Sequence, residues 1–438
     1  VIEEKAFFSC KSLRDCALHD GLRDLGGEAF AYAAIKRLRI PATVARIGHG
    51  VINNTPAQRH AMQGAFSVDP ANERFFADDR GGLYCADTFF ELVGRCSAYE
   101  VQDGTRRIGN EALCRNASIC RVVVPRGVRE IGRDAFRGCR RLTCVELPDT
   151  LEAIGAGAFL DTALTSLYLG EELYAVGEAA LLVQGKSPLR ASRTLSRVEI
   201  SPNNDAFYVE SGLLCQRGGG EAGGDLCLLY VGPDNVVRIP RAVNRVAPCA
   251  FCGTAGVDEL YVHGGLHSVC WEAFSTVRSI PLVHVEFSHS IDGCAQASFP
   301  VPRLSARFRS MTSLFTTDEY GTVFNFAYYD SWVAHTSAIE EFAPAAMARL
   351  LSPVCLSERA RELYEGIFER KQERACAFFA ERGNMAALDF LCVEGLLGRE
   401  SVLRQLDEAT RGNETQATAC LLELARRRGW RVGVDMSL

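Results

Sequence analysis

The chain has 438 residues, of which 47% are hydrophobic, and a net charge of −6. That length is enough for two or three domains. No segment is strongly basic, which argues against a nucleic-acid-binding protein because phosphate contacts need clustered lysine and arginine. No apolar run approaches the ~20 residues of a membrane-spanning helix, so we expect no membrane insertion.

The first residues and the cysteines bear on the protein's compartment. The chain begins Val1-Ile2-Glu3, in the middle of the repeat described below, so we expect the natural protein to extend upstream. Most of the 18 cysteines occupy positions that we expect to be buried, and reduced thiols are typical of the cytosol. We therefore expect a cytoplasmic protein. A cell-surface or secreted location is the alternative if an upstream signal peptide is missing from this chain.

A repeat of about 23 residues runs through the first two thirds of the chain. Residues 124–139 read VPRGVREIGRDAFRGC, and residues 147–162 read LPDTLEAIGAGAFLDT. Regular self-similarity at this period predicts a solenoid. The phenylalanines of Ala-Phe or equivalent pairs are 23 residues apart at Phe7 and Phe30, Phe136 and Phe159, and Phe251 and Phe274.

A second pattern, L-x-x-L-x-L, follows each of these pairs, for example at Leu142, Val145 and Leu147. The last two apolar residues are two positions apart and so share one face of a short strand. Stacked coils would align such strands into a parallel sheet whose inner face fills the solenoid core.

The combined string I-P-x-x-V-x-x-I-G-x-x-A-F-x-x-C-x-x-L is matched at 124–142, with Val124 in the first position. It resembles the BspA-like leucine-rich repeats of bacteria and some protozoa. The resemblance covers roughly residues 1–287 and implies a leucine-rich-repeat solenoid. Two longer units, starting at Phe66 and Val198, resemble the family's inserted β-hairpin, with strands predicted at 82–85 and 89–93 and at 212–215 and 226–231.

The repeat period is lost after residue 287. We predict an irregular capping or linker segment over 288–335 and a helical domain over 336–438. The Arg-Gly-Asn triplets at 382–384 and 411–413 each precede a helical pattern, which loosely resembles ankyrin-type repeats without their TPLH signature. The expected fold class is therefore an α+β repeat protein: a leucine-rich-repeat solenoid with a parallel β-sheet and inserted β-hairpins, followed by an all-α helical-repeat region.

Motifs that would indicate catalysis or metal binding are weak. Cys249, Cys252, His263 and His267 superficially resemble a zinc ligand set, but the two cysteines flank the Ala-Phe of a coil and the following gap is short. The sequence contains no GxSxG nucleophile motif and no phosphate-binding loop. We therefore expect a non-enzymatic protein with no cofactor and no metal ion.

The remaining candidate site is a surface. In each L-x-x-L-x-L strand, the residue between the last two apolar positions and the residue two places earlier should point outward on a concave face. Tyrosine and arginine are the types that dominate interface energetics, although ordinary solvated strand residues are an equal alternative. The candidate binding residues are Arg39, Arg121, Tyr168, Arg197, Glu199, Glu259, Tyr261 and His284.

These observations predict a protein–protein interaction scaffold that uses the solenoid surface. The family resemblance implies an alternative, a cell-surface adhesin that binds host matrix proteins or other cells. The sequence leaves the partner's identity and the oligomeric state open.

Overall fold

The structure is a computed structural model. It describes residues 1–177, 180, 195–220, 223–232, 235–251, 257–270, 273–274, 277, 280–291, 294–302, 314–315 and 324–432. The chain divides into two compact units. Unit 1 comprises Val1–Asp234, Ala242–Ala255 and Val269–Val277, and unit 2 comprises Asn235–Arg241, Gly256–Ser268 and Arg278–Leu438.

Short strands dominate the first 177 residues. They are β1 (Asp24–Leu25), β2 (Leu38–Ile40), β3 (Arg46–Ile47), β4 (Phe66–Val68), β5 (Phe75–Ala77), β6 (Gly82–Cys85), β7 (Thr88–Leu92), β8 (Ala98–Glu100), β9 (Arg107–Ile108), β10 (Arg121–Val123), β11 (Glu130–Ile131), β12 (Cys144–Glu146), β13 (Ala153–Ile154), β14 (Ser166–Leu169) and β15 (Ala175–Val176).

Strands continue beyond this point and give way to helices. The later strands are β16 (Arg197–Ile200), β17 (Phe207–Glu210), β18 (Leu213–Gln216), β19 (Asp225–Tyr230), β20 (Val236–Arg238), β21 (Val243–Val246), β22 (Glu259–Val262), β23 (Ser268–Val269), β24 (Leu282–Ile291) and β25 (Cys294–Pro300). The helices are α1 (Pro56–Arg59), α2 (Phe326–Ala334), α3 (Ile339–Leu351), α4 (Glu358–Arg370), α5 (Gln372–Glu381), α6 (Met385–Val393), α7 (Arg399–Arg411) and α8 (Thr415–Arg427), with a 3-10 turn at Ala61–Gln63.

The L-x-x-L-x-L segments form parallel sheets, as the sequence predicts. In unit 1, β10 lies between β8 and β12, and β14 pairs with β16. In β12 the burial pattern is exposed, buried, exposed, because successive side chains of a strand point to opposite faces. The leucine-rich-repeat solenoid with a parallel β-sheet is confirmed.

The aliphatic residue of each Ile-Gly or equivalent pair lies in a second sheet of unit 1. Strands β9, β11, β13 and β15 pair in parallel with their aliphatic residues in register, as Ile131 with Ile154. The hairpin of β6 and β7 joins this sheet through β7 and β9. Both predicted hairpins, β6–β7 and β18–β19, are confirmed, and each carries a third antiparallel strand, β5 or β17, that the sequence analysis did not identify.

The phenylalanines of the repeat stack on one another in the core. The rings of Phe136 and Phe159 lie 5.1 Å apart at an interplanar angle of 7°, and both side chains are fully buried. The residue three positions after each phenylalanine bonds the backbone at the turn. The Cys139 thiol donates to the Leu113 carbonyl at 2.9 Å, and the Thr162 hydroxyl donates to the Phe159 carbonyl at 2.9 Å.

The turn around each Ala-Phe pair is held by backbone hydrogen bonds to the next coil. The amides of Asp134, Phe136 and Gly138 donate to carbonyls of the following coil at 2.8–2.9 Å. Asp134 has a φ of 54° and Gly138 a φ of 74°, so two left-handed residues flank the phenylalanine. Because non-glycine residues rarely adopt positive φ, this turn conformation is maintained by the inter-coil bonds.

The glycine of each Ile-Gly pair marks the closest approach of successive coils. A Cβ added to Gly155 would lie 2.6 Å from the amide nitrogen of Arg133 in the preceding coil, and one added to Gly132 would lie 2.6 Å from that of Asn110. Backbone atoms cannot move aside as a flexible side chain can. Only glycine therefore permits this stacking distance.

The helices of unit 2 largely follow the sequence prediction. Within the predicted helical domain, α4 and α5 are separated at Lys371. Ser357 caps α4, since its hydroxyl accepts a hydrogen bond from the Ala360 amide at 3.2 Å. Asn384 caps α6 in the same way at one of the predicted Gly-Asn turns. The ankyrin-like assignment of this region stays a prediction.

Two elements lie where the sequence analysis expected irregular chain. Strand β25 pairs antiparallel with β24, and α2 precedes the predicted helical domain. Residues 303–313 and 316–323 of that segment lie outside the described residues. The proposed boundaries at 287 and 335 therefore stay predictions.

A buried ion pair joins the first three helices of unit 2. The Arg349 side chain is fully buried and donates to both carboxylate oxygens of Asp330 at 2.7 and 2.9 Å. It also donates to the Val354 carbonyl at 2.6 Å, and the Tyr364 hydroxyl donates to Asp330 at 2.7 Å. Removing either charge would leave the other buried and unpaired, which is far more destabilising than losing a surface pair.

We predict that Gly155→Ala destabilises unit 1 by about 1–3 kcal/mol, because the new Cβ would overlap the backbone of the preceding coil. Urea denaturation of the full chain measures the change. Gly366→Ala is the matched control, since Gly366 lies within α4 and an added Cβ there meets only the end of Arg370 at 3.4 Å. That control should be neutral or stabilising by up to about 1 kcal/mol. Equal effects of the two substitutions would contradict the close approach of the coils.

Candidate interaction surface

Two rows of side chains face outward across the parallel strands, and we call them the outer rows. Each strand contributes one residue to the first row, and every strand except β2 and β4 contributes one to the second, because register pairing places equivalent positions side by side. In unit 1 the first row comprises Arg39, Ser67, Glu100, Val123, Glu146, Tyr168 and Glu199, and the second comprises Ala98, Arg121, Cys144, Ser166 and Arg197. In unit 2 the first row comprises Arg238, Tyr261 and His284, and the second comprises Val236, Glu259 and Leu282.

The predicted residues of unit 1 fall into three groups on separate sheets. Arg39 lies in the sheet of β2 and β4, Arg121 in that of β8, β10 and β12, and Tyr168, Arg197 and Glu199 in that of β14 and β16. All three sheets present these side chains outward, as the sequence predicts.

The arginines of these groups already have acidic partners. Arg39 pairs with Asp69 at 2.9 Å, and Arg197 pairs with Glu199 at 2.7 Å. Arg121 pairs with Glu146 on the neighbouring strand. Exposed pairs of this kind contribute only about 0–1 kcal/mol to stability, so a binding partner can replace them at low cost.

Tyr168 is the exposed aromatic of the unit 1 rows. Its side chain is 37% exposed, and its hydroxyl donates to the Asp149 carboxylate at 3.0 Å. Register pairing places it directly beside Glu199. The hydroxyl is therefore anchored while the ring remains open to a partner.

In unit 2 the structure brings the predicted residues together, and we call Arg238, Glu259, Tyr261 and His284 the Tyr261 cluster. The Arg238 guanidinium lies 3.5 Å from the centroid of the Tyr261 ring. The His284 imidazole stacks on Tyr261 with centroids 4.0 Å apart and an interplanar angle of 14°. The Tyr261 hydroxyl donates to Glu259 at 2.8 Å.

Contacts around His284 complete the Tyr261 cluster. One ring nitrogen, Nδ1, lies 2.7 Å from the Ser298 hydroxyl on β25. The other, Nε2, lies 3.6 Å from the Glu259 carboxylate and has no hydrogen-bond partner among the described residues. The cluster thus combines an aromatic plane, a cation and a carboxylate in fixed positions. A side chain held in this way loses little rotamer freedom when a partner binds.

Arg238 is a member of the cluster that the sequence analysis missed. Its strand belongs to a coil that reads VVRIPRAVNRVAPCAF over 236–251. The signal was present, because VVRIP followed by an aliphatic residue three places later repeats the pattern of VVVPRGV at 122–128. The strand was missed because strands were expected after each Ala-Phe pair, whereas this one follows the second inserted hairpin, β18–β19.

Two members of the zinc-like set, His263 and Cys249, have structural roles in the described part of the chain. The two ring nitrogens of His263 lie 2.9 Å from the Pro240 carbonyl and 3.1 Å from the Gly265 amide. Cys249 has a φ of 58° and occupies a left-handed position before Phe251. Cys252 lies outside the described residues. Within the described part of the chain, no group of three or more potential ligands could hold a metal ion.

Comparison with known protein families identifies the repeat. Residues 1–65 and 87–199 match six copies of the BspA type leucine-rich repeat region. This part of the chain is a BspA-type leucine-rich-repeat region. No curated protein matches the chain.

Solved structures similar to this chain include three bacterial proteins. Pneumococcal vaccine antigen PcpA is 17% identical over 59% of each chain, with a TM-score of 0.40. A leucine-rich cell surface protein of Faecalibacterium prausnitzii is 18% identical over 62% of this chain and 67% of its own (TM-score 0.39). A leucine-rich repeat protein of Eubacterium ventriosum is 14% identical over 49% and 70% (TM-score 0.33). The match spans less than two thirds of the pneumococcal chain.

The helices of the chain are short. No described helix is both long enough and apolar enough to span a membrane.

We predict a coupling energy of about 0.5–1 kcal/mol between Arg238 and Tyr261, because a cation over an exposed aromatic ring stabilises by that amount. A double-mutant cycle of Arg238→Ala and Tyr261→Ala, followed by urea denaturation, measures it. The control cycle pairs Tyr261→Ala with Arg404→Ala and should be additive, since Arg404 lies on α7 of the same unit and pairs with Glu373 and Glu400 instead. An additive Arg238–Tyr261 cycle would contradict the stacking geometry.

Proposed function

We propose that this BspA-type protein is a non-enzymatic scaffold that binds a protein partner through its outer rows. The observation that carries the proposal is the Tyr261 cluster, in which Arg238, Tyr261 and His284 form one continuous stack across three neighbouring strands. Interface hot spots are enriched in tyrosine and arginine. The preformed stack reduces the entropic cost of association.

The rows of unit 1 support the same role. Tyr168 presents its ring beside the Arg197–Glu199 pair. A repeat places one side chain per coil at a fixed spacing, which suits an extended protein surface better than a small molecule. Charged side chains flanking an aromatic residue provide orientation for a partner in addition to affinity.

We predict that Tyr261→Ala weakens partner binding by about tenfold or more, the effect of losing a hot spot. Photo-crosslinking from position 261 of the full chain identifies the partner, and calorimetry with the purified partner measures affinity. Tyr174→Ala is the matched control, because Tyr174 is 60% exposed and lies outside the outer rows. A partner whose affinity is unchanged by alanine at Tyr261, Arg238 and Tyr168 would refute the proposal.

We also propose a cytoplasmic location, with adhesion at the cell surface as the second candidate. Buried free thiols support the first candidate, and Cys139, Cys215, Cys227, Cys376 and Cys420 are of this kind. Burial raises the pKa of Cys139 and of Cys376 to about 12, which suppresses the reactive thiolate. Cys215 and Cys227 lie opposite each other on β18 and β19 and remain unbridged.

For a cytoplasmic protein we predict close to 18 free thiols per chain. Native protein from its source is denatured without reductant, alkylated and weighed by mass spectrometry. Buried thiols stay reduced in the cytosol, whereas an oxidising compartment would pair neighbours such as Cys215 and Cys227. Several paired cysteines would overturn the cytoplasmic proposal and favour the adhesin.

A further inference from the structure

A polar groove of about 790 Å³ lies in unit 1, on the turns around the Ala-Phe pairs and away from the outer rows. Its walls come from five coils and from the end of the first inserted hairpin. Its acidic lining residues are Glu4, Glu28, Glu91, Glu111 and Asp134.

The groove forms where the inserted hairpin interrupts the ladder between coils. In regular coils, the left-handed residue before the Ala-Phe pair donates its amide to a backbone carbonyl, as Glu28 does to His49 and Glu111 to Arg133, both at 2.9 Å. At the equivalent residue Gly50, the acceptor is instead the Glu91 carboxylate, at 3.0 and 3.1 Å.

A second side chain replaces a backbone carbonyl as acceptor at Asn54, four residues after Gly50 in the same coil. The Asn54 amide donates to Oε1 of Gln58 at 2.8 Å. The equivalent Tyr32 and Arg115 donate to backbone carbonyls of the next coil. Side chains therefore close the ladder at this point, and the space that a regular coil would fill remains as the groove.

The Glu91 carboxylate is mostly buried and has little positive charge around it. Its side chain is only 12% exposed. The nearest basic group is His49, whose Nδ1 lies 3.9 Å away. Burial, opposed by the hydrogen bond from the Gly50 amide and assisted by the nearby charge of Glu111, raises the pKa of Glu91 to about 7.

His49 does not neutralise this site. Its ring stacks on Phe90 with centroids 4.5 Å apart and an interplanar angle of 6°. Burial lowers the pKa of His49, so the imidazole is neutral at pH 7. Its Nδ1 atom is buried and has no hydrogen-bond partner among the described residues.

Four cations line the groove: Lys5, Arg95, Arg115 and Arg137. Lys5 pairs with Glu4 and Glu28, Arg137 pairs with Asp134, and Arg95 donates to the Asn54 side chain at 2.8 Å. Within the described part of the chain, neither Glu91 nor Glu111 forms an ion pair with a lysine or arginine. The groove thus contains two carboxylates that pair with none of these cations, and a buried imidazole nitrogen of His49 without a hydrogen-bond partner.

We propose that this groove binds the guanidinium of an arginine side chain from a partner polypeptide, with Glu91, Glu111 and His49 as its acceptors. A guanidinium offers five N–H donors in a planar fork, which suits several acceptors at once, and it is more weakly hydrated than an ammonium. The groove is large enough for the flanking peptide, since ligand sites typically enclose ~300–1,000 Å³. This surface is separate from the outer rows, so the inference goes beyond the proposed function.

The test uses the full chain and a capped five-residue peptide, acetyl-Ala-Ser-Arg-Ser-Ala-amide. The matched peptide replaces arginine with citrulline, which has the same shape and no charge. Calorimetry should show the arginine peptide binding about tenfold or more tightly than the citrulline peptide, the range expected of a charge-assisted hydrogen bond. Equal affinity of the two peptides would overturn the proposal.

Protein variants assign the preference to the groove. Glu91→Gln retains an acceptor for the Gly50 amide and should abolish the preference for arginine over citrulline. Glu152→Gln is the control, because Glu152 pairs with Arg129 outside the groove and should leave the preference intact. If Glu91→Gln is poorly folded, Glu111→Gln provides the second variant and should reduce the preference. A preference unchanged in both groove variants would overturn the assignment.

The pH dependence gives an independent readout. Guanidinium binding favours ionised Glu91, so arginine-peptide affinity should rise between pH 6 and pH 8 in the wild type and stay flat in Glu91→Gln. The other charged or titratable groups lining the groove are Glu4, Lys5, Glu28, Tyr32, His49, Arg95, Glu111, Cys114, Arg115, Asp134 and Arg137. Affinity that falls over this range would contradict the role of Glu91. If spermidine binds as tightly as the arginine peptide, the ligand of the groove is a free polyamine and not an arginine side chain. That result would overturn the proposal.

Discussion

The fold depends on the close approach of successive coils around each Ile-Gly pair. Because glycine has no Cβ, the backbones of neighbouring coils can nearly touch at this position, as at Gly155 against Arg133. This spacing lets alternate amides of each turn reach carbonyls of the next coil. Those bonds hold non-glycine residues such as Asp134 in left-handed conformations, which would otherwise be unfavourable. The stacked phenylalanines then fill the interior that this spacing defines.

The inserted hairpin shows what happens when the constraint is broken. The coil that contains Gly50 lacks a regular neighbour on the side of the inserted hairpin. Its amides still need acceptors there, because unpaired backbone groups are costly. Glu91 and Gln58 supply them from side chains. A carboxylate used in this way brings a charge into a poorly solvated position, which explains the raised pKa of Glu91. The same irregularity that preserves the ladder therefore creates the chemically distinct part of unit 1.

Sequence reasoning succeeded wherever one coil repeats another. The spacing of the phenylalanines, the strands and the outward-facing residues all follow from a period that any alignment reveals. Arg238 was missed because its strand follows an inserted hairpin instead of an Ala-Phe pair. Glu91 could not be recognised at all, since its partner Gly50 is 41 residues away and depends on the path of the hairpin. The Arg349–Asp330 pair was equally hidden, because a charged residue in a helical pattern is normally expected on the surface.

The two candidate surfaces differ in how their charges are balanced, and this difference separates their roles. In the Tyr261 cluster, the carboxylate, the hydroxyl and the guanidinium already have partners. A partner protein there would gain mainly from the edge of the ring and from shape, because Arg238 and His284 lie on either side of Tyr261. The Glu91 carboxylate of the groove has no lysine or arginine of the described residues within ion-pair distance. Binding energy in the proposed groove site would therefore come from charge compensation in a poorly solvated position, where electrostatic interactions are strong. The two proposed surfaces would thus recognise different features of a polypeptide.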